Sequence, residues 1–250
     1  MLGALRNLSS SMTALRAGTW RGNPPPAFGH DPQGKVLGIL GMGGIGRNMA
    51  KKALAFGMRI RYYNRTRLAE DLERECEAEF VDFETLLRES DVLSLNLPLN
   101  VSFHSAHFSF FFFPLLCYSI IPLHENLTSI QPQTRHSISK PQFAIMKKGV
   151  VIVNTARGAV IDEAALVDAL ADGTVSSVGL DVYENEPEIH PGLIANPSVL
   201  LVPHMGTWTV ETQTKMEEWA MGNVRVALAE GRLRSVVPEQ KGMAEMWVGL

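Results

Sequence analysis

Val36-Leu37-Gly38-Ile39-Leu40-Gly41-Met42-Gly43-Gly44-Ile45-Gly46 decides the fold of this 250-residue chain. A short apolar run reads as a strand and feeds directly into G-x-G-x-x-G, which opens a helix. The first glycine, Gly41, permits a tight turn, and the second, Gly43, lets backbone approach a pyrophosphate. The third, Gly46, allows close packing of helix on strand. The N–H groups of the helix start around Gly44 and Ile45 have no partner within the helix and are presented to phosphates. The pattern is a dinucleotide-binding fingerprint in its proper strand-turn-helix setting.

Outward from this stretch, strand and helix patterns alternate, the mark of a parallel α/β sheet. Strands are expected at 36–40, 59–63, 92–96, 150–154, 177–181 and 199–202. Helices are expected at 45–56, 67–77, 83–89, 163–171 and 210–229. The fold class is therefore a doubly wound parallel sheet of the Rossmann type. Composition narrows the function. Lys and Arg number 23 against 26 Asp and Glu, a net charge of −3, which argues against a protein that coats nucleic acid. Two cysteines, Cys76 and Cys117, lie far apart, so neither a disulfide scaffold nor a cysteine-rich metal site is expected. No metal cluster is visible.

The second strand should end in an acidic residue about 20 residues past the fingerprint if the nucleotide is NAD. It ends instead in Tyr63-Asn64-Arg65-Thr66-Arg67. Asn64 removes the carboxylate that would repel a 2′-phosphate, and Arg65, with Arg67 behind it, offers guanidinium groups suited to binding one. NADP(H) is expected over NAD(H), with NAD(H) as the alternative. Three polar clusters follow later strands: Asn154-Thr155-Ala156-Arg157-Gly158, Asp181-Val182-Tyr183-Glu184-Asn185-Glu186-Pro187, and Pro203-His204-Met205-Gly206. Ligands of open α/β sheets sit beyond the carboxyl ends of the strands. An Arg, a Glu and a His there suggest an anion clamp and an acid–base pair. Singly, each is also compatible with a surface or capping role.

Two segments stand apart. Residues 1–30 contain no Asp or Glu and carry Arg6, Arg16 and Arg21, a composition shared with mitochondrial presequences. The same residues read as an ordinary amphipathic helix, with Leu2, Leu5, Leu8, Met12 and Leu15 at spacings of three and four. A cytoplasmic location is expected, with a mitochondrial one as the alternative. Residues 101–133 carry one formal charge, Glu125, where the chain average of 20% calls for six or seven. They also hold six of the eleven phenylalanines and show neither helical nor strand periodicity. The apolar run 108–123 is 16 residues long and contains Pro114 and Pro122, too short and too broken to span a membrane.

Taken in order, these motifs resemble the D-isomer-specific 2-hydroxyacid dehydrogenases, and Asn64-Arg65 is similar to the glyoxylate and hydroxypyruvate reductase branch. Ala14-Leu15-Arg16-Ala17-Gly18-Thr19-Trp20 resembles that family's linking helix. The resemblance implies an oxidoreductase that reduces a small 2-oxo acid to the 2-hydroxy acid with hydride from NADPH. Arg157 would bind the substrate carboxylate, His204 would donate the proton, and Glu186 would hold and charge the imidazole. Asp181 and Thr155 would lie on the nicotinamide side, and Gly206 would belong to the cofactor site with Gly41–Gly46, Asn64, Arg65 and Thr66. A homodimer is implied, with no nucleic-acid or membrane partner. The alternatives are a nucleotide-binding module without turnover and a truncated product that does not fold.

The resemblance also implies a domain plan. Residues 1–21 would be a remnant helix linking to a substrate domain that is mostly missing, 30–215 the NAD(P)-binding domain, and 216–250 the C-terminal helix and tail of the substrate domain. Against it, 101–133 is an insert: Leu97-Pro98-Leu99-Asn100 should run almost directly into Thr134. The insert corresponds to 99 in-frame nucleotides, and Val101 and Gln133 allow GT and AG at its ends. A retained intron is the reading adopted, and a lineage-specific insertion the alternative. Its phenylalanine run, low in charge and high in β-propensity, predicts poor solubility.

Overall fold

The computed structural model describes residues 1–97 and 134–236, which fall into two compact units. The first, ending at His204, holds a parallel sheet. Its elements in chain order are α1 (Leu2–Leu5), α2 (Leu8–Arg16), β1 (Val36–Leu40), α3 (Gly44–Leu54), β2 (Arg59–Tyr63), α4 (Glu70–Glu75), β3 (Ala78–Phe80), α5 (Phe83–Glu89) and β4 (Val92–Leu95). After the undescribed residues come α6 (Lys140–Phe143), β5 (Val150–Asn154), α7 (Glu163–Ala171), β6 (Val175–Leu180), α8 (Pro191–Ile194) and β7 (Val199–Leu201). The strand order among the described residues is β3-β2-β1-β4-β5-β6-β7, every pair parallel.

A parallel sheet covered on both faces needs strands apolar on both faces, and β1, β4 and β5 are buried at every residue. One core gathers Leu37, Ile39, Tyr62 and Val151 under Leu5 of α1 and Ala50 and Ala53 of α3. The other gathers Leu40, Leu93 and Ile152 with Leu86 and Leu87 of α5 and Leu166 of α7. The chain steps from β1 outward to β3 and then returns to β4 on the other side of β1. The strand order thus reverses between β1 and β4, and a crevice opens at their carboxyl ends.

The opening helix differs from its expected form. Asn7 takes a left-handed conformation, φ 51°, and splits it into α1 and α2. Of the five residues in the apolar stripe only Leu5 is buried, at 2% exposure. Serines anchor the segment instead: Ser9 donates to the Val199 carbonyl at 3.0 Å and Ser10 to that of Pro197 at 2.8 Å. Ser177 in β6 donates to the Ala4 carbonyl at 2.8 Å. These bonds join residues 1–16 to the sheet within the first unit.

Residues 205–236 belong to the second unit, whose long helix α9 spans Val210–Glu230. Thr209 caps its start by accepting from the Thr212 N–H, and Gly231 ends it at φ 64°. The Arg234 guanidinium lies 4.1 Å over the Trp219 ring. No helix among the described residues is long and apolar enough to cross a membrane.

Candidate functional site

Gly41 sits at the strand-order reversal with φ +98°, where an added Cβ would fall 2.6 Å from the Asn96 carbonyl oxygen. A side chain there would push β1 from β4. A Cβ on Gly46 would fall 2.5 Å from the Gly41 carbonyl oxygen and 3.1 Å from Ile39, so the helix lies directly on the loop it follows. Gly43 and Gly44 differ, because a Cβ on either would meet nothing within 4 Å. Their backbone therefore faces open space, with Ile45 exposed beside them. The helix start there offers N–H groups to an anion, so these residues fit a dinucleotide's pyrophosphate. The loop lines a groove of about 640 Å³ with Tyr63, Asn64, Arg65, Thr66, Leu97 and Thr134.

The turn after β2 is held at its first residue. Asn64 Oδ1 accepts from the Met42 N–H at 2.6 Å, tying β2 to the glycine loop. Arg65 and Thr66 are exposed, and among the described residues neither side chain makes a hydrogen bond or ion pair. Arg67 departs from the expectation of a second phosphate-facing guanidinium. Its Nε and Nη2 donate to Glu73 Oε1 and Oε2, both at 2.8 Å, and it does not line the groove. Helix α4 starts at Glu70, where the sequence reading began it at 67. Arg47, on the first turns of α3, also lines the groove. Sequence reasoning missed it; its place one residue after the fingerprint was the available signal.

The three polar clusters follow β5, β6 and β7, neighbours in the sheet. Asn154 is 1% exposed and organises the first: its Oδ1 accepts from the Ala156 N–H at 3.1 Å and its Nδ2 donates to the Arg157 carbonyl at 3.0 Å. The half-buried Arg157 donates from Nη1 to the Ala156 carbonyl at 2.7 Å. Thr155 is exposed and lies 3.5 Å from Asn96 Oδ1. Asp181, buried at the end of β6, donates its N–H to the Asn154 carbonyl at 3.1 Å. A Cβ on Gly158 would fall 1.7 Å from the Tyr183 carbonyl carbon, so the loop bearing Arg157 lies backbone to backbone on the loop leading to Glu186.

Glu186 and His204 are brought together directly, with Nδ1 of the imidazole 2.8 Å from Glu186 Oε2. The other carboxylate oxygen, Oε1, accepts from the Tyr183 N–H at 2.9 Å. The Tyr183 hydroxyl in turn donates to the Val202 carbonyl at 2.9 Å, two residues before His204. Burial pushes that phenol up to about 12, so it remains a donor. A carboxylate facing Nδ1 fixes the tautomer with its proton there and leaves Nε2 for a ligand. Arg157 makes no hydrogen bond or ion pair with His204 or Glu186; its loop touches that of Glu186 at Gly158. Gly206 belongs to the second unit, and the other expected cofactor residues belong to the first. Among the described residues no group of three His, Cys, Asp or Glu could hold a metal ion.

The chain is 51% identical over 243 residues to 4-methyl-2-oxopentanoate reductase A of Aspergillus oryzae, covering 97% of this chain and 63% of the relative. Among solved structures it superposes on a glyoxylate reductase from Paecilomyes thermophila with a TM-score of 0.80 at 50% identity, covering 96% of this chain and 63% of that one. An NADPH-dependent glyoxylate/hydroxypyruvate reductase from Sinorhizobium meliloti, in complex with NADP and malonate, gives a TM-score of 0.74 at 25% identity. That match covers 95% of this chain and 64% of the other. The chain thus spans about 63% of the length of the first relatives it matches. Residues 1–106 and 123–206 match the family described as D-isomer specific 2-hydroxyacid dehydrogenase, NAD binding domain, and the break at 107–122 falls within the atypical span 101–133. The agreement of fold, fingerprint and motif order with that match makes this chain a member of the D-isomer specific 2-hydroxyacid dehydrogenase family.

Proposed function

We propose that the protein reduces a small 2-oxo acid, of the glyoxylate or hydroxypyruvate type, to the 2-hydroxy acid, using NADPH in preference to NADH. The observation that carries this reading is the His204–Glu186 pair, with Nδ1 bound to the carboxylate and Nε2 left for the substrate. When bound, the nicotinamide supplies the hydride. His204 delivers a proton from Nε2 to the oxygen that becomes the hydroxyl, and Glu186 compensates the charge of the imidazolium beforehand. Arg157 takes the substrate carboxylate, on a loop that Asn154 holds rigid through its two backbone bonds. Asp181 and Thr155 serve the nicotinamide end, Gly41, Gly43, Gly44, Ile45 and Gly46 the pyrophosphate. Arg65 and Thr66 meet the 2′-phosphate, and Asn64 sets the spacing between their turn and the glycine loop. The same reading takes the protein as a cytoplasmic homodimer.

Titration of the purified chain with NADPH and, in parallel, NADH tests the cofactor half. Saturable binding with a clear NADPH preference, lost in Arg65→Ser, is the expected result. Equal affinity for the two nucleotides overturns the preference. Turnover of glyoxylate, hydroxypyruvate and 4-methyl-2-oxopentanoate, compared with His204→Gln, tests the chemical half; a variant as active as the parent removes His204 as proton donor.

A further inference from the structure

The turn that would read the 2′-phosphate is pinned at both ends, and only one end is explained by the fingerprint. At its start, Asn64 is bonded to Met42. At its far end stand three residues that do not line the groove. The Tyr62 side chain is fully buried in the sheet, and its hydroxyl accepts from the Leu68 N–H at 3.0 Å while donating to Glu73 Oε1. Glu73, 8% exposed, accepts the bidentate pair from Arg67. The backbone at residues 67 and 68 is thereby fastened to β2 and α4, and Arg65 and Thr66 are the two residues between the pins whose side chains remain uncommitted.

We infer that Tyr62, Glu73 and Arg67 form a clasp that positions Arg65 for the 2′-phosphate, so that selection between the two nicotinamide nucleotides depends on residues that do not touch the nucleotide. The inference rests on the NADPH reading above. A guanidinium held on a fixed turn loses less conformational freedom on binding an anion than one on a loose loop. Arg67 acts here through Glu73 and is not among the residues that line the groove. The clasp is thus a positioning device, and its loss acts on the nucleotide that bears a 2′-phosphate.

The experiment measures Kd for NADPH and for NADH with the full chain, then with Tyr62→Phe and Glu73→Gln, and checks each variant's thermal melt. Tyr62→Phe removes one hydroxyl and keeps the ring in the core; Glu73→Gln keeps the shape and removes the charge. In both, NADPH is expected to weaken about fivefold, as for loss of one or two polar contacts, while NADH stays within twofold. NADH binding is the control for folding, since general loosening weakens both nucleotides together. If the parent chain shows no NADPH preference, the functional reading fails before the clasp is tested. If the parent prefers NADPH and both variants keep its ratio, the clasp is overturned. It is equally overturned if Arg67→Met weakens NADPH while Tyr62→Phe and Glu73→Gln do not, because Arg67 would then meet the phosphate itself.

Discussion

Glu73 is one carboxylate with three donors gathered on it, two from Arg67 and one from Tyr62. The Arg67 guanidinium first, and the Tyr62 hydroxyl second, hold it at about 2, below its ordinary value of 4.5. A carboxylate depressed in the folded state stabilises fully above its unfolded value and loses that contribution as pH falls through the folded value. The stability gap between the parent chain and Glu73→Gln should therefore be constant above pH 5, then close between about pH 4.5 and 2. Urea unfolding at a series of pH values measures it, and a gap that persists unchanged to pH 2 removes the charge from the account. At this scale the sequence was legible where a residue acts alone and opaque where it acts in a pair. Arg65 could be read as a free guanidinium from the strand end before it. Arg67 could not, because its partner lies six residues on and meets it only once α4 has its register. His204 and Glu186, 18 residues apart, were legible as a pair only through the order of motifs.

Helix α7 shows what an element needs to be read correctly. Asp162 is its N-cap, accepting from the Ala165 N–H at 3.0 Å, and the same side chain accepts from Ser139 Oγ at 2.8 Å. That second bond ties the start of α7 to the start of α6, and the Ala165 bond leads the causes that lower the Asp162 carboxyl. Asp162→Ala removes the cap and leaves Ser139 without this partner, a cost of about 1–2 kcal/mol. The expected outcome is a lower urea midpoint at neutral pH, mostly restored in Asp162→Asn; an unchanged midpoint in Asp162→Ala denies the cap any weight. Elements with such local signals, β1, β2, α5, β5 and α7, fall where the sequence reading put them. Those without them do not. β3 is three residues long and has no pattern to detect, and α6 and α8 are single turns built by Pro141 and Pro191 near their starts. The opening helix failed for a tertiary reason: Ser9, Ser10 and Ser177 anchor it, so its apolar spacing did not predict which face would be buried.

At the scale of the whole molecule, the sheet and its crevice were legible from one motif and the rhythm around it, whereas 101–133 obeyed no folding logic. The segment falls outside the described residues, but its flanks do not. Leu97 and Thr134 line the same groove, and the family resemblance runs the chain almost directly from one to the other. The family match breaks off at 106 and resumes at 123, inside the same span. We expect transcripts from this gene to lack the 99 nucleotides, and sequencing across the junction of Asn100 and Thr134 reads this directly. A transcript pool in which every molecule retains them rejects the intron. The protein offers an independent test. A chain joining Asn100 to Thr134 loses six phenylalanines and the FFFF run while keeping the glycine loop, the Asn64–Met42 bond, the clasp and the His204–Glu186 pair. Removing a low-charge segment of high β-propensity should raise soluble yield and leave the affinity for NADPH equal to or tighter than that of the parent. If the shortened chain folds, by its thermal melt, and yet binds NADPH more weakly, the segment belongs to the nucleotide site and the protein is built around it.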